Sequence, residues 1–316
     1  KFARLNTMEE ELLIEQFVKK QISFQVLWCK AVDNGYINVI RTICTMHHNI
    51  NLGVMNNYAI RHASASGHVE LVKFLLYSPH VDPTADGNYA INSASAHGHV
   101  EVVRLLLEDG RVDPALYNNS AIARASTHGH VEIVKLLLAD PRVDPSANNN
   151  VALRWAACGN FTEIVKLLLT HPKVDPSAND NYVLMWLLDY GYTCAVKILL
   201  EDSRVNPSAC VNHAIIRSSE YGNTEIVSLL LADSRVDPCA GNNSALKCAS
   251  ECDHASIVRL LLERTKYISV KDYINIKATL TPEIDCLWKN HLIQIRMMLH
   301  KFAQTYLIMD LLDQIY

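Results

Sequence analysis

The feature that most constrains the fold of this chain is a landmark that recurs every 31 residues. At six places a Val precedes Asp-Pro or Asn-Pro, with the middle residue at Asp82, Asp113, Asp144, Asp175, Asn206 and Asp237. One further step of 31 residues toward the N-terminus reaches Asn51. One step toward the C-terminus reaches Ile268, where the Val-Asp-Pro pattern is no longer present. A regular period of this length predicts a repeat protein, in which each repeat buries its apolar side only on its neighbours.

Each repeat contains two helical patterns, clearest in residues 119–138. In the first helix Ile122, Ala125 and Ser126 form a narrow face of small residues, whereas the second helix is apolar around most of its circumference. We therefore expect the second helix to be sandwiched between neighbouring repeats. The turn between the helices needs a residue that accepts a positive φ, and this slot holds Gly67, Gly98, Gly129, Asn160, Gly191, Gly222 and Asp253.

The segments between repeats carry two further signals. The Asp-Pro step ends the second helix, because proline fixes φ and lacks a backbone N–H. An Asn recurs shortly before each first helix, and we interpret it as an N-cap whose side chain accepts from free N–H groups. These residues are Asn57, Asn88, Asn119, Asn150, Asn181, Asn212 and Asn243.

The repeat resembles the ankyrin repeat, most specifically in the run Gly-His-x-Glu-Ile-Val-Lys-Leu-Leu-Leu of residues 129–138. The resemblance covers about residues 25–267 and implies an all-α solenoid of stacked helix-turn-helix repeats with projecting fingers. Two features depart from the family: the period is 31 residues instead of about 33, and Asn-x-Ala-Ile/Leu replaces Thr-Pro-Leu-His. The fingers should therefore be short. Repeats of this Asp-Pro-Ser-Ala-Asn-Asn-Asn type also resemble those of amoebae and of the large DNA viruses that infect them.

The expected domain organisation has three parts: an N-terminal capping helix in residues 1–24, a solenoid of about eight repeats in residues 25–267, and a helical C-terminal cap in residues 268–316. Seven full 31-residue repeats begin at residue 51. Caps are expected because the end of a solenoid exposes an apolar face. Thr281 and Pro282 have the residue types of a helix start. Recruitment of a partner by the apolar tail, residues 306–316, remains the alternative to capping.

The resemblance also implies where a partner binds. In the family the contact residues are the finger tips and the two positions before the turn glycine, on the concave face of the solenoid. Carried over to this chain, the candidate partner-binding residues are His97, Tyr117, His128, Asp189, Tyr190, Glu220 and Tyr221. Trp155 and Trp186 occupy one slot of adjacent first helices, and we interpret them as packing residues between repeats.

No catalytic residue, cofactor or metal site is predicted. The pairs His97–His99 and His128–His130 suggest a metal site, but the second His of each pair is a framework residue of the repeat. A second metal alternative is the set Cys239, Cys248, Cys252 and His254, whose spacing is unlike the tight Cys pairs of structural zinc sites. No Cys or Ser has the context of an activated nucleophile, and no glycine-rich phosphate loop is present.

Composition limits the classes of partner and the cellular location that we expect for this chain. The net charge is −4, which gives no basic excess of the kind that binds nucleic acid. No apolar run approaches the ~20 residues that span a bilayer, and residues 1–20 lack the pattern of a secretion signal. Nine unevenly spaced cysteines indicate a reducing compartment, hence a cytoplasmic protein, with the nucleus as the alternative. We expect a monomer, with head-to-tail self-association as an alternative.

The functional interpretation is a non-catalytic scaffold that binds another protein along the concave face. Two alternatives stay open. The first alternative is an adaptor that links a target to larger machinery such as a ubiquitin ligase. The second is a structural, filament-forming repeat protein.

Overall fold

The structure is a computed structural model that describes residues 8–46, 50–264, 273, 277 and 280–313, with side chains as far as 298 and at 300 in the last segment. Within these residues all regular secondary structure is helical. The chain divides into two compact units, an N-terminal unit of Lys1–Asp175 and a C-terminal unit of Pro176–Tyr316.

In the N-terminal unit, helices alternate between the first and second helix of successive repeats. First helices pack on neighbouring first helices, and second helices pack on neighbouring second helices. The helices are α1 (Met8–Val18), α2 (Phe24–Asp33), α3 (Ile37–Met46), α4 (Val54–Ala65), α5 (Val69–Leu76), α6 (Ala85–His97), α7 (Val100–Glu108), α8 (Leu116–Thr127), α9 (Val131–Leu138), α10 (Ala147–Cys158) and α11 (Thr162–Thr170).

The C-terminal unit repeats the arrangement and adds a long final helix of 32 residues. Here α12 packs on α14 and α14 on α16, while α13 packs on α15 and α15 on α17. The helices are α12 (Ala178–Tyr190), α13 (Thr193–Leu200), α14 (Ala209–Glu220), α15 (Thr224–Ala232), α16 (Ala240–Glu251), α17 (Ala255–Arg264) and α18 (Pro282–Asp313).

The core confirms the predicted fold class of stacked all-α repeats. In α8 the small face buries Ala121, Ile122 and Ala125 completely or almost so, and in α9 Ile133 and Leu137 are fully buried. Burying one such Ile or Leu side chain contributes roughly 1.5–3 kcal/mol. Because the same positions are buried in each repeat, stability comes from many equivalent contacts between neighbours.

The turn slot has the positive φ that the sequence predicts, at the five glycines as well as at Asn160 and Asp253. Gly98 meets a second requirement, since the ring of His130 from the next repeat lies against it. A Cβ added to Gly98 would lie 2.7 Å from His130 Cε1. His130 Nε2 donates to the carbonyl oxygen of Ala96 at 2.9 Å. The same bond recurs at His68, His99 and His254, so in these repeats the framework histidine fastens its turn to the preceding repeat.

In four repeats an Asp-x-Arg pair, which was not predicted from the sequence, fixes the loop before the Asp-Pro or Asn-Pro step. Arg142 donates through two nitrogens to the carboxylate of Asp140, at 2.9 and 2.6 Å. Its third nitrogen, Nη1, donates to the carbonyl oxygen of Val112 in the preceding repeat at 2.7 Å. Arg111 and Arg235 make the same two kinds of bond.

The described parts of the two terminal segments pack on the repeats. Helix α1 contacts α2 and α3, and α18 contacts α17. Thr281 Oγ1 donates to Asp253 Oδ1 at 2.8 Å, and Trp288 is fully buried. These contacts support the two predicted caps, which stay a prediction. The side chains of residues 306–316 and the whole of residues 1–7 lie outside the described part of the chain.

Candidate partner-binding face

In each unit, the exposed sides of the first helices, with the finger tips where they begin, form what we call the first-helix face of that unit. Between residues 85 and 251, all of which are described, the exposed large apolar side chains lie on first helices or at their ends. They are Tyr89, Leu116, Tyr117 and Trp155 in the N-terminal unit, and Tyr182, Tyr190, Val211 and Tyr221 in the C-terminal unit. Exposed aromatic residues are the side chains that most often anchor a protein partner.

The finger tips are turns of three consecutive residues in the left-handed conformation. At Asn148, Asn149 and Asn150 the φ values are 51°, 55° and 56°. The other tips repeat this geometry, and most of their residues are Asn, Asp or Gly. These are the residue types that enter the left-handed region at the lowest cost. The left-handed backbone of the tips thus explains why the repeat is rich in Asn.

In six tips, from Asn57 to Asn212, the last asparagine joins two repeats. Asn119 Oδ1 accepts from the backbone N–H of Asp144 at 2.7 Å, and Asn150 Nδ2 donates to the carbonyl oxygen of Asp175 at 3.0 Å. The interpretation of this recurring Asn as an N-cap is therefore wrong. The residue has left-handed backbone geometry, and its side chain extends to the next Asp-Pro loop instead of its own helix.

In the N-terminal unit, a groove of about 600 Å³ lies between α6 and α8. It brings together two of the candidate residues, His97 and Tyr117, and is also lined by Asp86, Tyr89 and Arg124. Tyr117 is 66% exposed. The Nδ1 of His97 donates to the carbonyl oxygen of Ser93 in its own helix at 2.8 Å.

His128, the third candidate in this unit, is exposed but does not line the groove. Its Nδ1 donates to the carbonyl oxygen of Arg124 at 2.9 Å. Like His97, it is folded back onto the C-terminal end of its helix.

In the C-terminal unit, three of the four candidate residues surround Arg217. This side chain contacts the carboxylate of Asp189 at 3.1 Å and that of Glu220 at 3.3 Å. Its guanidinium carbon lies 4.9 Å from the ring centre of Tyr221. Arg217 was missed by sequence reasoning because Asp189, its partner, belongs to the preceding repeat.

Tyr190 belongs to a separate aromatic cluster. Its ring centre lies 4.6 Å from that of Trp186 and 6.3 Å from that of Tyr192. Trp186 is partly buried, and its ring also stacks on that of Tyr192 in the same repeat, with 6.1 Å between the ring centres. Trp155 keeps 43% of its surface exposed. The role of the two tryptophans in packing between repeats stays a prediction.

The metal alternatives raised by the sequence gain no support from the geometry. His99 and His130 each donate through Nε2 to a carbonyl oxygen of the preceding repeat. Across the part of the chain that the structure describes, no three His, Cys, Asp or Glu side chains are grouped to hold a metal ion. Among the same residues, no helix combines the length and apolarity that crossing a bilayer requires.

A family model described as ankyrin repeats, in three copies, matches residues 28–118, 59–149, 124–209 and 184–272, which together span residues 28–272. No curated protein matches the chain.

Proposed function

The chain belongs to the ankyrin repeat family, whose repeats are generally protein–protein interaction modules, and we propose that it is a non-catalytic scaffold that binds another protein along its first-helix face. The observation that carries this proposal is the distribution of exposed aromatic residues. From residue 85 to residue 251 they lie on the first helices or at their ends. Second helices expose charged pairs instead, such as Glu132 with Lys135 at 2.8 Å.

The proposed contact residues are the seven selected from the sequence. In the N-terminal unit they are His97, Tyr117 and His128, and in the C-terminal unit Asp189, Tyr190, Glu220 and Tyr221. The three tyrosines serve as anchors, because a large ring buried at an interface contributes much of the binding energy. The charged and imidazole side chains around them provide orientation.

A reducing location, cytoplasmic or nuclear, fits this role. All nine cysteines fall in the described part of the chain, and none of them forms a disulfide. In an oxidising compartment, exposed thiols such as those of Cys194 and Cys252 would be open to disulfide exchange.

The test is to select binders from a displayed library of random peptides on the full chain and then measure their affinity for variants. We expect Tyr117→Ala, Tyr190→Ala or Tyr221→Ala to weaken individual binders by about tenfold or more. Tyr77→Ala is the matched control, because Tyr77 is 80% exposed but lies at the end of a second helix. The proposal is overturned if the binders lose affinity only with Tyr77→Ala, or with none of the four substitutions.

A further inference from the structure

The first-helix face of the N-terminal unit is basic where α8 and α10 form it. These helices carry Arg124 and Arg154 and no acidic residue. The neighbouring helix α6 has one carboxylate, Asp86, which already pairs with Arg61 at 2.8 Å. On α8, the charge that this surface offers a partner is therefore the positive charge of Arg124.

Arg124 is the cation at the groove between α6 and α8. It is exposed, and its Nε donates to the hydroxyl oxygen of Ser120 at 3.2 Å, which is a neutral acceptor. Within the described residues it contacts no carboxylate. A guanidinium binds carboxylates through two parallel hydrogen bonds, so this side chain is suited to an acidic group from another molecule.

Tyr117 lines the same groove, and its backbone has a strained conformation there. Its φ is 54°, a conformation that bulky side chains rarely adopt, whereas the equivalent tip positions hold Asp86 and Asn148. Its ring lies directly on Gly87, where an added Cβ would come within 2.5 Å of Tyr117 Cε2. Strained residues that remain exposed often mark contact sites.

Tyr89 adds a second apolar surface to this groove. Its ring is partly exposed, and the guanidinium carbon of Arg61 lies 5.5 Å from the ring centre. The groove thus combines two exposed aromatic rings with one cation that has no acidic partner. Its complement is a segment in which apolar side chains alternate with carboxylates.

Building on the proposed partner-binding role, we propose that this groove binds an acidic peptide segment of the partner, with an Asp or Glu side chain on Arg124 and a neighbouring apolar side chain on Tyr117. The corresponding groove between α12 and α14 has a different character. Its arginine, Arg217, is already occupied by Asp189 and Glu220. An acidic segment therefore has a free cation to bind at the first groove and none at the second.

The experiment uses the full chain and two synthetic peptides, labelled for fluorescence anisotropy. One alternates Asp and Glu with Leu and Phe, and the other is identical except that Asn and Gln replace the acids. We expect the acidic peptide to bind at least tenfold more tightly and to lose affinity as salt is added, because the contact is an exposed ion pair.

Variants locate the contact. Arg124→Gln should weaken the acidic peptide about tenfold and leave the neutral peptide unchanged, whereas Arg104→Gln, on the second helix α7, should change neither. Tyr117→Asn removes the ring and keeps a residue type that accepts the left-handed conformation. It should weaken both peptides while unfolding at a temperature no lower than the wild type.

Equal affinity for the two peptides, or an acidic peptide indifferent to Arg124→Gln, would overturn this inference. The selection experiment on the first-helix face separates that result from failure of the proposed function. If selected binders still depend on Tyr117 or Tyr190 and carry no acidic residues, the scaffold role stands and the acidic-segment inference falls.

Discussion

The indole Nε1 of Trp288 donates to the hydroxyl oxygen of Ser250 at 2.9 Å, and both side chains are buried. This bond joins the long final helix to the last described first helix. It combines a large apolar contact with a satisfied polar group, which is how buried tryptophans are usually accommodated.

Replacing Trp288 by Ala should destabilise the C-terminal unit by about 3–5 kcal/mol, because it removes a fully buried ring and leaves a cavity. Trp288→Phe keeps most of the apolar volume and should cost less. Urea unfolding followed by circular dichroism measures both. An unchanged midpoint for Trp288→Ala would show that α18 does not stabilise the repeats.

Asn119→Gly should destabilise the N-terminal unit by about 1–2 kcal/mol, since glycine keeps the positive φ but leaves the N–H of Asp144 without its acceptor. Asn118→Gly is the matched control, as Asn118 has the same backbone geometry and an exposed side chain. The difference between the two thermal midpoints isolates the bond between repeats. Equal midpoints would refute the bridging role.

Val211→Asn should stabilise the C-terminal unit by roughly 1 kcal/mol, because a β-branched side chain is strained at a φ of 59°. The reciprocal change, Asn242→Val, occupies the same tip position one repeat later and should destabilise by a similar amount. Differential scanning calorimetry would detect both shifts. Two shifts of the same sign would contradict the strain argument.

The Asp-x-Arg pairs predict how stability depends on pH. Hydrogen bonds from the Arg142 side chain hold the pKa of Asp140 below its usual value of 3.8, and the pKa values of Asp109, Asp202 and Asp233 are lowered in the same way. A lowered folded-state pKa stabilises the protein above the unfolded pKa. This contribution is lost as the pH falls through the folded value.

Arg142→Met should therefore cost about 1–2 kcal/mol at pH 7, and the gap to the wild type should narrow below pH 3.8. The measurement is a series of urea midpoints from neutral to acidic pH. Lys135→Met removes an exposed pair with Glu132 and should change little at any pH. A gap for Arg142→Met that stays constant with pH would rule out the ion pair as its cause.

The sequence was sufficient to predict the helical pairs because burial follows a strict period. Ile122 and Ile133 are buried where their spacing places them, and Asn160 has the positive φ that its slot requires. The finger tips were not predicted, although runs such as Asn148 to Asn150 contain the residue types that favour left-handed geometry. In six tips the last Asn has the residue type of a local cap, but its partner lies 25 residues further along the chain.

The candidate site was only partly predictable for the same reason. The resemblance supplied the slots of Tyr117 and Tyr221, which are exposed. It gave no indication that Arg217 engages Asp189 or that Arg124 has only a neutral acceptor, because such pairings depend on side-chain directions across neighbouring helices. Charge patterns along one helix do not contain that information.

The bonds that tie one loop to its predecessor end on main-chain atoms: Arg142 on the carbonyl oxygen of Val112, and Asn119 on the N–H of Asp144. Nearly every amino acid supplies these groups, so these bonds do not depend on which side chain the neighbouring repeat carries at the bonded position. A whole 31-residue segment copied into or cut out of the gene would therefore join its new neighbours by the same connections. A single duplication or deletion of this length would then change the array by one repeat.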